Sequence, residues 1–385
     1  MTTVGTDTPL RLLHLITGLD QGGAETMVVK LAHGLPRDQF SQTVVSLAPA
    51  GVMAPAIRAA GARVESLGLT SLAAWPLGLL RFRRLLRQVR PHVIQTWLYH
   101  ADLFGLLADA LPGRSPPFLW NIRCADTGLA GRSPMAWRML KTLARNAHRP
   151  AAVVVNSAAG QAYHEGIGYR PRRWALIANG FDTASLAPDA SMRSEVRREL
   201  GLADQTVAIG LFARLHPIKD HATFLRAAAL AETHRPDLAF VLVGRGLERD
   251  DPALARLLAA TAKPRNLHLL GPRHDATRLM QGLDMACLTS HSEGFPNVIG
   301  EAMATGLPAV VSDAGDMAVM VGDTGRVVAA GDVEGFARAF CELAAITPDA
   351  RKALGRAARQ RIADNYDLNE VLRRYGELYG QVAAS

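Results

Sequence analysis

Short stretches suited to strands, several of them largely apolar, recur along the chain at Leu10–Thr17, Gln42–Leu47, Arg63–Leu67, Val93–Thr96, Phe118–Ile122 and Ala152–Asn156. They return at Val207–Ala213, Phe240–Val243, Leu267–Leu270, Leu283–Thr289, Ala309–Val311 and Gly325–Val328. Runs of this length bounded by Gly, Pro and Ser suit buried strands. Stretches with helical spacing, such as Ala24–Leu35 and Asn297–Ala304, fall between most of them. The alternation predicts an α/β fold built on doubly wound parallel sheets. A polar passage with Gly180 and Pro188, between Asn179 and Ala190, reads as an interdomain linker. The expected division is one α/β domain over 1–183, a second over 184–365, and a terminal helical segment over 366–385 whose Leu372, Tyr375, Leu378 and Tyr379 share a stripe.

Open parallel sheets bind ligands just beyond the carboxyl ends of their strands. After the first strand comes a Gly-rich turn, Gly18–Gly23, opening a helix. Its Gly22 and Gly23 are compatible with a nearby phosphate, and a plain tight turn is the alternative. Glu25 suits the first turn of that helix. His100, Asp102, Arg123, Asn156 and Ser157 stand at or beyond later strand ends. A neutral imidazole both donates and accepts, so His100 could bind a sugar hydroxyl, with a structural histidine as the alternative. Asp102 reads as a helix cap. Arg214 and Lys219 follow Val207–Ala213 with Pro217 between them. A planar fork and a compact ammonium just past a strand end suit a diphosphate leaving group; a surface pair is the other reading.

The richest stretch is HSEGFPNVIGEAMATGLPAVVSD, His291–Asp313. It reads as loop, helix, turn and strand, with Pro296 in the first helical turn and Gly306 as the helix stop. Glu293 and Glu301 flank the helix start. Ionised carboxylates only accept hydrogen bonds, and sugar and ribose hydroxyls are suitable donors. One carboxylate could hold a hexose and the other a ribose, with a diphosphate over the helix N-terminus. A capping Glu with a solvated helical Glu is the alternative. No DxD-like motif stands near a strand end, so no divalent ion is expected.

Glu293–Glu301, EGFPNVIGE, resembles the E-x7-E signature of the retaining nucleotide-sugar glycosyltransferases of family 4, which have the GT-B fold. GGAE (Gly22–Glu25), HAD (His100–Asp102), VVNS (Val154–Ser157), NGFD (Asn179–Asp182) and ARLHPIKDH (Ala213–His221) resemble that family's landmarks in its order. The resemblance implies two Rossmann-like domains facing across a cleft, with the terminal helix returning to the first. It implies a nucleoside diphosphate sugar as donor: Arg214 and Lys219 on the diphosphate, Glu301 on the ribose, Glu293 on the hexose. Phe295, Asn297 and Val298 would supply backbone contacts, and Gly22 and Gly23 would approach the diphosphate. The Gly271–His274 segment would meet the base, with Arg273 stacking on or bordering it and Asp275 capping the next helix. His100 would lie beside the reacting carbon. The implied reaction is hexosyl transfer to a hydroxyl of a glycan or lipid-linked acceptor, with retention, by front-face departure and without a required metal. A nucleotide-sugar epimerase or hydrolase, or a non-catalytic sugar-nucleotide scaffold, are the other classes the residues admit.

Composition narrows this further. Residues 1–183 carry 20 Lys and Arg against 10 Asp and Glu, so the whole net charge of +8 lies in that half. Arg81–Arg90 and Arg132–Arg149 interleave the basic residues with Leu, Met, Phe and Trp. On a helix, Met135, Met139 and Leu143 share a face. A core-facing stripe with a solvated basic side is one reading; attachment to an anionic membrane surface or a lipid-linked diphosphate is the other. No nucleic-acid motif accompanies the charge. No apolar run reaches membrane-spanning length, the first residues lack a signal pattern, and three scattered cysteines point to a reducing cytosol, including its membrane face.

Overall fold

The computed structural model describes residues 8–20, 22–113, 115–125 and 133–385. It divides into two compact units, Met1–Asn179 with Asn369–Ser385, and Gly180–Leu368. In the first, seven parallel strands run in the order β3-β2-β1-β4-β5-β6-β7. They are β1 Leu10–Ile16, β2 Phe40–Ser46, β3 Arg63–Ser66, β4 Val93–Trp97, β5 Phe118–Ile122, β6 Ala152–Val155 and β7 Trp174–Leu176. β7 went unpredicted because its three residues sit inside the basic run RPRRWAL, with no apolar length to reveal it. The second unit has six parallel strands in the order β10-β9-β8-β11-β12-β13. These are β8 Val207–Phe212, β9 Leu238–Val243, β10 Leu267–Leu269, β11 Met285–Leu288, β12 Ala309–Ser312 and β13 Arg326–Val328. The expected pair of parallel-sheet α/β domains is what folds.

Strands β4, β5, β6, β8, β9, β11 and β12 are buried at every position, as sheets covered on both faces require. The terminal helix Leu368–Ala384 packs within the first unit, and its Leu372, Tyr375, Leu378 and Tyr379 stripe is buried. Tyr379 Oη donates to Gln95 Oε1, and Asn121 Nδ2 donates to Tyr375 Oη at 3.1 Å. Two passages of chain meet at the edge of the second unit: Phe181 N–H donates to Tyr366 O at 2.9 Å and Leu368 N–H to Phe181 O at 3.1 Å.

Several local readings need correction. In the helix Pro134–Arg145 the core-facing residues are Leu140, Leu143 and Ala144, while Met135 is 68% exposed. The expected Met135–Met139–Leu143 row is therefore tilted off the packed face. Arg132, which opened that basic stretch, lies outside the described residues. Asp102 is not a cap: it is the fourth residue of the helix Tyr99–Asp109, fully buried, with Thr96 Oγ1 donating to it. Pro296 occupies the N-cap of Asn297–Ala304 rather than its first turn. Gly306 does end that helix, with φ +83°, and Leu307 N–H to Ala302 O and Gly306 N–H to Met303 O complete a Schellman closure. A methyl on Gly355 would sit 1.9 Å from Gly306 O, so the helix Pro348–Tyr366 approaches this closure through a bare backbone.

Three histidines, His14, His164 and His221, are at most 2% exposed, and burial lowers each to about 4 from 6.5. His164 is the best anchored, with Nδ1 2.6 Å from Gly160 O and Nε2 2.7 Å from Tyr99 Oη. Their folded pKa values lie below the unfolded one, so the unfolded chain takes up protons first as pH falls. Stability is thus fully present above about 6.5 and is lost toward about 4. The urea midpoint should fall on going from about pH 7 to about pH 5, with a smaller fall in His14→Gln; a midpoint flat across that window would contradict the assignment.

Candidate functional site

Sheet order reverses once in each unit. In the second, β8 and β11 are neighbours whose onward connections leave in opposite directions. At such a switch point the carboxyl ends border an open crevice. The loop after β8 carries Arg214 and Lys219; the loop after β11 carries Thr289 to Pro296 and runs into the helix Asn297–Ala304. Residues 74 positions apart are thereby brought together. Lys219 Nζ pairs with Glu293 Oε1, with the two side chains 22% and 11% exposed. Ser290 Oγ donates to the same oxygen at 2.6 Å. Arg214 stands exposed at the end of β8.

The Lys219 loop is tightly held. Thr289 Oγ1, fully buried, lies 3.0 Å from Lys219 O and 2.9 Å from Asp220 O. His291 N–H donates to Ile218 O at 2.8 Å, and His291 Nε2 lies 3.1 Å from Asp220 Oδ2. Asp220 itself has φ +46°, a left-handed conformation costing a non-glycine residue about 1–2 kcal/mol. Its side chain accepts from Thr223 N–H at 3.2 Å and so caps the helix His221–His234. Two glycines let backbones approach. A methyl on Gly244 (φ +154°) would meet Ala213 O at 2.2 Å, and one on Gly315 (φ +61°) would meet Glu293 O at 2.0 Å.

Other predicted residues are placed differently. Asn297 N–H is already spent on Phe295 O at 3.0 Å, and Ile299 and Gly300 N–H both donate to Pro296 O. Phe295 is buried, stacked on Phe181 with centroids 6.1 Å apart and edge-on to Tyr366 at 5.5 Å. It anchors the loop from beneath. Val298 and Glu301 lie part-exposed in the same helix. Arg273 grips Asp275 with both Nε and Nη2 at 2.8 Å and reaches Glu199 at 3.1 Å. This pairing holds Asp275 down at about 2, and it occupies the side chain expected to cap the following helix, which therefore begins without a side-chain cap.

In the first unit the strand order reverses between β1 and β4. Gly22 is the extended N-cap of Gly23–Gly34, the helix after β1, and Thr26 N–H and Oγ1 both donate to Gly22 O. His100 is exposed in the first turn of the helix after β4, and partial desolvation lowers its pKa. The residue linking β4 to that helix, Leu98, has φ +72°. Among the described residues, no cluster of three or more His, Cys, Asp or Glu side chains could hold a metal ion. Reading by motif missed Thr289, Ser290, Asp220 and Gly315. Thr289 looked like the end of an apolar strand and Ser290 like the start of the loop that stops it, and Asp220 sits within a motif already assigned to its lysine. The pattern Gly244-Arg245-Gly246 after β9 was the one available signal of a close backbone approach there.

Two family models match the chain: "Glycosyltransferase Family 4" over residues 21–185 and "Glycosyl transferases group 1" over residues 206–345. The D-inositol 3-phosphate glycosyltransferase of Corynebacterium urealyticum is 30% identical over 80% of this chain and 76% of its own length. The UDP-Gal:alpha-D-GlcNAc-diphosphoundecaprenol alpha-1,3-galactosyltransferase of Escherichia coli is 28% identical, but the match spans only 54% of each protein. Among solved structures, HepE of Anabaena in complex with UDP-glucose superposes with a TM-score of 0.82 at 22% identity, covering 96% of this chain and 99% of that one. That superposition establishes the GT-B fold, and together with the family matches it means that the chain belongs to glycosyltransferase family 4 and is a glycosyltransferase.

Proposed function

We propose that the second unit binds a nucleoside diphosphate sugar and that the chain transfers its hexosyl group, with retention, to a hydroxyl of a glycan or lipid-linked acceptor. The observation that carries this reading is the meeting of Lys219 and Glu293 at the β8–β11 switch point. In this reading Arg214 and Lys219 take the diphosphate, whose negative charge grows as the sugar departs. Their fixed charge would make a divalent ion unnecessary. Glu293 accepts from the hexose and Glu301 from the ribose; Val298 N–H offers a backbone donor. Gly22, Gly23 and Arg273 keep their proposed places against the diphosphate and base, and His100 its place beside the reacting carbon. Uridine is the base we favour, since UDP names the donor of the Escherichia coli relative and part of the ligand of HepE.

The first unit adds a proposed membrane contact. No helix among the described residues is long and apolar enough to cross a membrane. The helix Trp75–Val89 buries Gly78, Phe82 and Leu85, while Leu77 and Leu80 are 53% and 65% exposed on the side that carries Arg81, Arg84 and Arg87. Apolar and cationic side chains sharing an outward face suit an anionic interface.

Lys219→Ala should lower kcat/KM for the donor by roughly a hundredfold or more. Thr289→Val, which loosens the Lys219 loop, should raise the donor KM roughly tenfold with little change in melting temperature, and Thr289→Ser should recover it. Chelation by EDTA should leave the wild-type rate intact. Full activity in Lys219→Ala would remove the donor assignment. For the front-face path, Glu293→Gln should impair donor use and mass spectrometry should find no glycosylated Glu293 in the wild type; such an adduct would establish double displacement instead. Leu77→Ser/Leu80→Ser should weaken binding to vesicles containing phosphatidylglycerol, and added salt should weaken it in the wild type; equal binding to neutral vesicles would discard the membrane contact.

A further inference from the structure

The first unit contains a buried cation that the proposed reaction does not use. Arg123 follows β5 at the carboxyl edge of the sheet. Its guanidinium lies 5.6 Å over the ring of Trp97, and Nη1 reaches Tyr375 Oη at 3.3 Å and Asn121 Oδ1 at 3.5 Å. Trp97, Asn121 and Tyr375 are all fully buried. Nε and Nη2 are enclosed by the protein and make no hydrogen bond, and among the described residues no carboxylate pairs with the charge. Burial accordingly pushes the Arg123 pKa down from its ordinary value, although a guanidinium stays protonated at any cellular pH.

The two idle groups are not a random pair. Nε–H and the adjacent Nη2–H point the same way and form one edge of the guanidinium fork, the edge that meets two oxygens of a carboxylate or phosphate side by side. Nη1, on the other side, is the one with protein partners. An enclosed charge with unmade hydrogen bonds is a standing loss of stability, and replacing it with an apolar side chain of similar length is commonly neutral or stabilising. One strand further along the same edge, Asn156 follows β6 with its Oδ1 also buried and without a partner. Carboxyl-edge side chains held this way suit a ligand with an anionic group and a hydroxyl beside it.

We propose that the Nε/Nη2 edge of Arg123 is the seat of an oxoanion. If the transferase reading holds, the group that fits is a phosphate or carboxylate carried by the acceptor; the anion site itself does not depend on that reading. Arg123 as a residue is part-exposed, so the enclosed edge lies close to the surface, and seating an anion on it requires the stem to turn.

The test uses the full chain with Arg214→Ala and Lys219→Ala, so that the donor-site cations are silent. Thermal unfolding is followed with inorganic phosphate and with acetate, against chloride at equal ionic strength. Phosphate or acetate should raise the melting temperature of this double variant. Adding Arg123→Met should abolish that rise while leaving the ligand-free melting temperature equal or higher; Arg123→Lys, which keeps charge but loses the fork, should weaken the response at least about tenfold in anion concentration. Survival of the rise in Arg123→Met, or absence of any rise in the double variant, overturns the proposal. Nucleotide-sugar binding by the unaltered chain and by the Arg214→Ala/Lys219→Ala variant reports on the donor reading separately.

Discussion

The geometry of a parallel sheet whose strand order reverses governs everything else in this molecule. Every strand of such a sheet needs a crossover, and at the reversal two neighbouring strands send theirs to opposite sides. The carboxyl ends of β8 and β11 are therefore neighbours without a shared connection. The chain supplies what the gap lacks: two cations after β8, and a carboxylate and a helix start after β11. β1 and β4 repeat the arrangement in the first unit, with the Gly22–Gly23 turn after one and His100 after the other. Within each unit the candidate residues are therefore divided between two strand ends, and no single motif contains them.

Positions beside these ends are strained, and the strain is locally compensated. Of the three non-glycine residues with positive φ among the described residues, Asp220 follows Lys219 and Leu98 lies two residues before His100; the third, Arg90, simply ends a helix. Such conformations persist only where surroundings over-determine them. At Asp220 the surroundings are explicit: a cap to Thr223 N–H, the contact with His291, and the Thr289 hydroxyl against two successive carbonyls. At Leu98 the N–H donates to Asn121 O at 3.2 Å across to β5. Holding a loop this way costs stability but removes freedom from Lys219 before any ligand arrives.

Much of this was legible from residue order. Twelve of the described strands are legible in the sequence, most plainly those buried at every position, because a strand buried on both faces has no polar side to interrupt it. The helix stop at Gly306 and the buried terminal stripe were equally plain, since a left-handed turn and a helical period each leave a local mark. What stayed hidden depends on distance in space. Asp102 has the composition of a cap and the location of a core residue; only the approach of Thr96 decides between them. The pairing of Arg273 with Asp275 and with the sequence-distant Glu199 is another contact that only folding creates. Thr289 carries no chemistry in the sequence at all, and acquires its role because β8 and β11 are adjacent.

The Lys219–Glu293 pair also bears on how a donor would be received. Lys219 and Glu293, which the proposed function assigns to a diphosphate and to sugar hydroxyls, neutralise each other. Neither charge is left bare in a part-buried crevice, which would cost several kcal/mol per ion. On the proposed assignment, binding exchanges this pair for two new partnerships on one molecule, so the net gain is smaller than either contact alone. Ser290 Oγ, already donating to Glu293 Oε1, stays behind as a partner for the carboxylate when the lysine turns away. Affinity is thereby tempered while orientation is kept: a ligand offering only phosphate frees the lysine but leaves the carboxylate short of a partner, and a ligand offering only sugar does the reverse. A molecule that carries both ends at the right separation satisfies both groups, and the exchange selects for it.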